Sequence, residues 1–332
     1  MNVLEYINKW TPAVERTLNK LLPAGTKPLP LTQASKHLIR AGGKRLRPCL
    51  TLACCEVVGG RAEEVLEAAA AFELLHTFSL IHDDIMDHSD FRRGVKTVHR
   101  IWGEPMAILA GDALFAKVFE ALSLNARRMG LEGRKVADLF QMVSRASFEL
   151  SRGQAMDMLF SQRPTLREEE YLEMVALKTG ALMRASAASG ALLGGGTPLQ
   201  VKRLGEYGEN LGIAFQIQDD ILGLVGEEDK LGKPVGSDLV EGKRTLVISF
   251  ALETLKGKER KKLLRTLGNP SATKEEVKEV ISLLEERGVL ERTRKRALEF
   301  SEKARKLLRG FRESEALTFL EELTEFVIER RV

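Results

Sequence analysis

Apolar residues recur at intervals of three and four along most of the chain. Val65, Ala68, Ala69, Phe72, Leu75, His76, Ser79 and Leu80 trace one stripe, and Val277, Val280, Ile281 and Leu284 trace another among glutamates and lysines. That spacing is the helical one. Alternating apolar and polar runs joined by hairpin dipeptides are missing, and the ten prolines leave long proline-free stretches at 49–104, 106–163 and 271–332. Long helices need such stretches, because proline lacks the amide hydrogen and its ring clashes with the preceding turn. The pattern predicts an all-α protein of about a dozen helices, longer than the usual helix. Breaks are expected at Pro28 to Pro30, Gly42-Gly43, Gly59-Gly60, Arg92 to Gly94, Gly130 to Gly133, Gly194 to Thr197, Gly223 to Gly236 and Asn269-Pro270.

Composition narrows the class further. The 332 residues are 44% hydrophobic, enough for a large core, and no Ser/Pro linker, low-complexity segment or internal repeat divides them. A single domain over 1–332 is expected. Lys plus Arg at 51 against Asp plus Glu at 47 leaves a net charge of +4, too balanced to point to a nucleic acid or a membrane surface. Phosphate binding must therefore come from local clusters. The basic run from Lys256 to Arg265 reads as a solvated helix face. Cys49, Cys54 and Cys55 are odd in number and two are adjacent, which argues against a disulfide framework or a spaced zinc site and for a reducing compartment. No stretch approaches eighteen uninterrupted apolar residues and the N-terminal residues are polar too early for a signal peptide, so a soluble, cytoplasmic protein without a transmembrane segment is expected.

Two acidic groups carry the chemistry. Asp83, Asp84 and Asp87 follow the apolar segment Phe72 to Ile81, and on a helix Asp83 and Asp87 project from one face with Asp84 beside them. Three carboxylates so placed repel one another, whereas hard oxygens in this pattern suit Mg²⁺, which takes one or two carboxylates and completes its shell with water and substrate phosphate. A second pair, Asp219-Asp220, follows the apolar-rich stretch Leu211 to Ile217. Two such sites facing across a cleft would hold a diphosphate between several metal ions. Cations complement them: Gly42-Gly43-Lys44-Arg45-Leu46-Arg47-Pro48 lets a turn aim Lys44 and Arg47 at one anion, Arg92-Arg93-Gly94 follows Asp87, and Lys178-Thr179-Gly180, Lys233 and Lys243 add more. His82 and His88 flank the acids and read as supporting residues, while His76 lies on the same face as Asp83.

The ordered set GGKRLRP, LIHDDIMD followed by RRG, KTG, FQIQDD and GKPVGSD closely resembles the trans-isoprenyl diphosphate synthases, or polyprenyl synthetases, from about position 40 to 245. The resemblance implies one isoprenoid synthase domain: a bundle of long antiparallel helices around a deep central cavity, as a homodimer, with several Mg²⁺ ions per site. It makes Asp83, Asp84 and Asp87 the first aspartate-rich motif, with Asp83 and Asp87 the direct metal ligands, and Asp219 and Asp220 the second. Asp84 and Asp219 complete the implied metal set. Lys44, Arg47, His76 and Arg93 match positions that grip isopentenyl diphosphate. Arg92, Lys178, Thr179, Gln216, Lys233 and Lys243 match those around the allylic diphosphate. Two departures stand out: Gly223 occupies the place of a third aspartate in the second motif, so that metal contact is either lost or made through water, and Lys96 stands where proline is common.

The implied reaction joins isopentenyl diphosphate head to tail to dimethylallyl, geranyl or farnesyl diphosphate by ionisation, condensation and elimination. Phe78 lies about 7.5 Å below Asp83 at the helical rise per residue, and Ser79 above it is too small to form a higher floor. This pattern is most like archaeal-type synthases that make geranylgeranyl diphosphate, with farnesyl diphosphate as intermediate or co-product. A farnesyl or longer-chain synthase is the near alternative. A class I terpene cyclase has no use for GGKRLRP, an HD-type phosphohydrolase built on His82-Asp83 leaves the second acidic pair unexplained, and a non-catalytic synthase subunit usually loses aspartates that this chain keeps.

Overall fold

The structure is a computed structural model that describes residues 2–226 and 235–329. Its helices, in chain order, are α1 (Val3–Leu21), α2 (Leu29–Arg40), α3 (Leu46–Val57), α4 (Leu66–Met86), α5 (Val98–Trp102), α6 (Glu104–Arg128), α7 (Gly133–Ser161), α8 (Glu168–Val175), α9 (Ala181–Leu193) and α10 (Pro198–Val225), followed by α11 (Ser237–Val240), α12 (Leu246–Thr254), α13 (Gly257–Thr266), α14 (Lys274–Glu286), α15 (Val289–Leu307) and α16 (Glu315–Glu329). The all-α expectation is met. The strands among the described residues are β1 (Phe91–Arg92) and β2 (Val95–Lys96), paired antiparallel with Phe91 opposite Lys96. Arg93 and Gly94 between them both have positive φ, as a type I′ hairpin turn requires.

Local chemistry sets the helix ends. Asn2 accepts from the Glu5 amide at 2.9 Å while Glu5 accepts from the Asn2 amide at 2.8 Å, and Thr273 and Glu276 form the same reciprocal cap on α14. Val277, Val280 and Leu284 are buried along α14, as their spacing predicts. The breaks between α1 and α2, α2 and α3, and α6 and α7 fall where the prolines and glycines place them. The break expected from Gly223 to Gly236 lies within those bounds: α10 ends at Val225, the next helix starts at Ser237, and residues 227–234 between them lie outside the described residues.

The chain divides into two compact units, each assembled from separated segments. One comprises Met1–Ser147, Leu182–Gly205 and Leu308–Glu322, the other Phe148–Ala181, Glu206–Leu307 and Leu323–Val332. Interleaving of this kind leaves no linker to read in the sequence. In the first unit α4 packs chiefly on α6 and also on α3, α1, α2 and α5. The stripe predicted for α4 is consequently too narrow: every residue from Ala68 to Leu75 is buried, because neighbours cover the helix all round. The same composition gives an 18-residue window within Ala62–Met86 a mean hydropathy of 1.2, but 67% of that window is buried in the protein, as in a core helix. Its first turn is satisfied by Asn125 on α6, which accepts from the Ala68 amide at 2.9 Å and donates to the Glu64 carbonyl at 3.0 Å. In the second unit α12 packs on α15 and α8, and α13 and α15 flank α14.

Candidate active site

In the first unit, α4 ends in the acids. Asp83 lies in its last turn and Asp87 is its C-cap residue; Asp83 is half-buried and Asp87 exposed. Helix C-termini carry partial negative charge, so acids there add to a field that already favours a cation. Asp84 behaves differently. It is fully buried, and its Oδ1 accepts from Arg92 Nε at 2.8 Å and Nη2 at 2.6 Å. Burial pushes the Asp84 carboxyl up and the Arg92 charge opposes that shift. Asp84 therefore anchors Arg92, while Asp83 and Asp87 keep the accessible carboxylates. Among the described residues no three acidic, histidine or cysteine side chains form a metal-holding group on their own. Two carboxylates at a helix C-terminus, one half-buried and one exposed, without a closed protein cage, fit Mg²⁺ shared with a phosphate.

The cations of this unit lie at the turn before α3 and on the hairpin. Lys44 is exposed, Arg47 half-buried and Arg93 half-buried, with Arg93 donating through Nη1 to the Leu38 carbonyl at 2.9 Å. His76, three turns into α4, is partly covered. Burial, and then the charges of Arg47, Arg93, Arg92 and Arg45, hold its imidazole well below the usual histidine range, which favours the neutral ring. A neutral imidazole among arginines donates one hydrogen bond to an anion without adding charge. His82 does not join the acids: its Nε2 lies 3.2 Å from the Ile108 carbonyl, and a Cβ on Gly111 would stand 2.1 Å from that nitrogen. A histidine spent on α6 is no metal ligand for an HD-type centre.

An aromatic series runs from this site through the unit. Phe78 meets His82 edge-on at 4.8 Å and Phe115 at 5.1 Å, Phe115 meets Phe119 at 5.2 Å, and Phe119 meets Phe140 at 6.0 Å. Ser79 is buried, with Oγ donating to the His76 carbonyl at 2.9 Å. Phe78 is thus backed by rings from α6 and α7.

In the second unit, Lys178, Thr179 and Gly180 lie in a π-helical turn, Ala176–Gly180, between α8 and α9. Lys178 Nζ donates to Asp157 Oδ2 at 2.5 Å. Thr179 Oγ1 donates to Gln216 Oε1 at 2.9 Å, Gln216 Nε2 donates to Asp220 Oδ1 at 3.0 Å, and the Tyr171 hydroxyl donates to Asp220 Oδ2 at 2.6 Å. Burial pushes the Asp220 carboxyl up to about 7, with the bonds from Tyr171 and Gln216 opposing and the charges of Asp238 and Asp157 adding. Asp220 is buried and orients Gln216, whereas Asp219 is half-buried. Lys243 Nζ donates to Asp238 Oδ1 at 3.0 Å, and a Cβ on Gly223 would meet Asp238 Oδ2 at 2.4 Å. The carboxylate of Asp238 thus stands beside the position of the missing third aspartate. Lys233 lies outside the described residues. Asp157 and Tyr171 lie in none of the sequence motifs, whereas Asp238 ends GKPVGSD.

Residues 29–284 match the polyprenyl synthetase family. The chain is 43% identical over 330 residues to a short chain isoprenyl diphosphate synthase of Methanothermobacter thermautotrophicus, covering 99% of each chain. It is 45% identical over 303 residues to a geranylgeranyl diphosphate synthase of Saccharolobus solfataricus (91% and 90% covered), and 42% identical over 304 residues to a geranylfarnesyl diphosphate synthase of Aeropyrum pernix (90% and 94%). The crystal structure of a geranylgeranyl pyrophosphate synthetase from Pyrococcus horikoshii aligns with a TM-score of 0.92 and 41% identity over 99% of this chain and 98% of that one. A geranylgeranyl pyrophosphate synthase from Corynebacterium glutamicum, solved with isoprenyl diphosphate and magnesium, aligns at 0.88 with 26% identity over 99% and 100%. Similarity of this extent, on a chain whose acids and cations fall on the helix ends described above, makes this protein a member of the polyprenyl synthetase family.

Proposed function

We propose that the protein is a trans-prenyltransferase that condenses isopentenyl diphosphate with allylic diphosphates and makes geranylgeranyl diphosphate as its main product, farnesyl diphosphate being intermediate or co-product. The observation that carries the reading is the presence, within one unit, of the acids Asp83 and Asp87 at the end of α4 and of the cations Lys44, Arg47 and Arg93 with His76, whose imidazole the arginines hold below its ordinary range. Acids alone fit metal storage and cations alone fit any anion. Together they fit a metal-bound diphosphate beside a second diphosphate.

Asp83, Asp87 and Asp219 are the residues assigned to hold Mg²⁺, several ions in all. Bound there, the metal neutralises charge on the allylic diphosphate and makes it a better leaving group. Arg92, held by Asp84, together with Lys178, Lys233 and Lys243, positions that diphosphate and stabilises the charge it gains as the C–O bond breaks. The Thr179 and Gln216 oxygens and the Lys178 carbonyl are the dipoles assigned to the allylic cation, with Asp220 and Tyr171 fixing the Gln216 amide. Lys44, Arg47, His76 and Arg93 hold isopentenyl diphosphate while its double bond attacks. The proton lost in elimination passes to the released diphosphate.

The series Phe78, Phe115, Phe119 supports a C20 limit, since an apolar tail growing along α4 meets three rings in succession. A C25 product is the second reading, favoured by the small Ser79 above Phe78. A homodimer is supported by Ile108 and Leu109, 46% and 53% exposed on α6, apolar side chains that a second copy would cover. The free, buried thiols of Cys49, Cys54 and Cys55 support a cytoplasmic site of action. We read the whole chain as one functional domain, as the interleaved segments suggest. Incubation with labelled isopentenyl diphosphate, each allylic primer and Mg²⁺, with the products sized, tests the reading.

A further inference from the structure

The segment Gly42-Gly43-Lys44-Arg45-Leu46-Arg47 carries three cations, and the structure separates one from the others. Arg45 is only 2% exposed, at the N-cap of α3 in the left-handed region with φ of +48°. Its Nε donates to Glu15 Oε1 at 2.7 Å, its Nη1 to Glu73 Oε1 at 2.6 Å and its Nη2 to the Ile39 carbonyl at 2.6 Å. A guanidinium taken out of water persists only when anions and carbonyls meet its donors in this way. Arg45 is therefore a strut and not a ligand for substrate.

A second guanidinium reaches the same carboxylate oxygen. Arg93 Nη2 lies 3.9 Å from Glu73 Oε1, while Nη1 is bound to the carbonyls of Leu38 and Gly42. Arg93 also has positive φ, +54°, and a Cβ on Gly43 would stand 2.9 Å from its Cζ. Glycine at 43 thus lets the Arg93 side chain lie against the turn that presents Lys44. Burial and the charge of Arg45 disfavour a charged Arg93, and Glu73 opposes them. Glu73 is itself 2% exposed and lies one turn before His76 on α4.

We infer that Glu73 is a positioning residue for the isopentenyl diphosphate half of the site. One buried oxygen, hydrogen-bonded by Arg45 and ion-paired at 3.9 Å with Arg93, draws the turn bearing Lys44 and Arg47 and the guanidinium of Arg93 to the same point on α4. This rests on the assignment of Lys44, Arg47 and Arg93 to isopentenyl diphosphate under the proposed function. Glu73 touches no substrate; its carboxylate offsets the mutual repulsion of cations that must stay close to grip one diphosphate.

The test is Glu73→Gln, with each substrate titrated at saturation of the other. Loss of the charge facing Arg93, together with the charge-assisted bond from Arg45 that holds the turn, should raise the KM for isopentenyl diphosphate about tenfold. The KM for farnesyl diphosphate and kcat should move by less than about twofold, since only ground-state binding of one substrate is affected. Glu73→Asp, which restores the charge on a shorter arm, should recover part of the loss. Removing one partner of a buried pair also destabilises the fold, so thermal unfolding is measured alongside and Arg45→Met is combined with Glu73→Gln to remove the stranded charge. If Glu73 positions Arg93, the double variant regains its melting temperature while the KM for isopentenyl diphosphate stays high. Recovery of both together, equal rises in the two KM values, or an unchanged KM in Glu73→Gln overturns the inference. A wild-type enzyme that consumes no isopentenyl diphosphate overturns the functional reading and this inference with it, whereas an active wild type beside an unaffected variant overturns the inference alone.

Discussion

Asp238 Oδ2 lies 2.4 Å from the point where a Cβ on Gly223 would stand. A carboxylate from the segment after α10 therefore occupies the space that a side chain at 223 would need, and the glycine accommodates it. From sequence alone, Gly223→Asp reads as a tolerated restoration of the third aspartate. The geometry says otherwise: the new side chain must displace Asp238 and set two like charges together. Overpacking of this kind costs about 1–3 kcal/mol, so Gly223→Asp and Gly223→Ala should both lower the melting temperature and the activity. Exchanging the two, Gly223→Asp with Asp238→Gly, should recover part of both; thermal unfolding and turnover of the three variants check this.

The rings of Phe78 and Phe115 lie 5.1 Å apart, so on the proposed reading chain length would depend on both. Deleting the first ring opens volume that an apolar tail can fill, so Phe78→Ala should lengthen the product, yet Phe115 remains behind it. Phe78→Ala/Phe115→Ala should therefore shift the distribution further than either single change. Chromatographic sizing of the dephosphorylated products reads the order directly, and a double variant no longer than Phe78→Ala would place the floor elsewhere.

Asp83→Ala and Asp87→Ala should abolish turnover and leave the fold intact. Both acids sit where α4 presents its negative end, and removing the exposed Asp87 carboxylate there should stabilise the helix by about 0.3–1 kcal/mol in the absence of metal. The paired measurement is product formation with Mg²⁺ and thermal unfolding without it. Lys44→Ala and Arg47→Ala, by contrast, should chiefly raise the KM for isopentenyl diphosphate.

The neutral state of His76 has a consequence for stability. Its pKa is held down in the folded protein, so as pH falls below the ordinary histidine value, about 6.5, the unfolded chain takes up a proton that the folded chain does not. The unfolded state then binds more protons, and stability rises with pH across that window. His76→Gln should flatten the dependence between about pH 5 and 6.5 relative to wild type. Denaturant titrations of both proteins at several pH values give the difference, in which the other titrating groups cancel.

What the sequence conveys depends on how local each feature is. The spacing of Val277, Val280 and Leu284 and the Thr273/Glu276 cap lie within one helix, so α14 is legible in full. The α4 stripe is legible only in part, because packing on every side erases the polar face that would define it. The hairpin at Phe91–Lys96 has strands too short to show a period, although Arg93-Gly94 signals its turn. Asp83, Asp87, Lys44 and Arg47 announce themselves as dense local charge. Tyr171 and Asp157 do not, since each meets its partner across a long separation in the chain, 49 residues to Asp220 and 21 to Lys178, and alone reads as a core tyrosine or a surface acid. Arg45 and Arg47 are indistinguishable by residue type; only the left-handed turn at Arg45 sends one inward to Glu15 and Glu73.

The most direct test of the central claim is the length of the product formed from labelled isopentenyl diphosphate and farnesyl diphosphate with Mg²⁺. A metal-dependent C20 diphosphate as the main species is the expected result, lost in Asp83→Ala. Failure to incorporate label with any allylic primer, or incorporation that persists in Asp83→Ala, would contradict it.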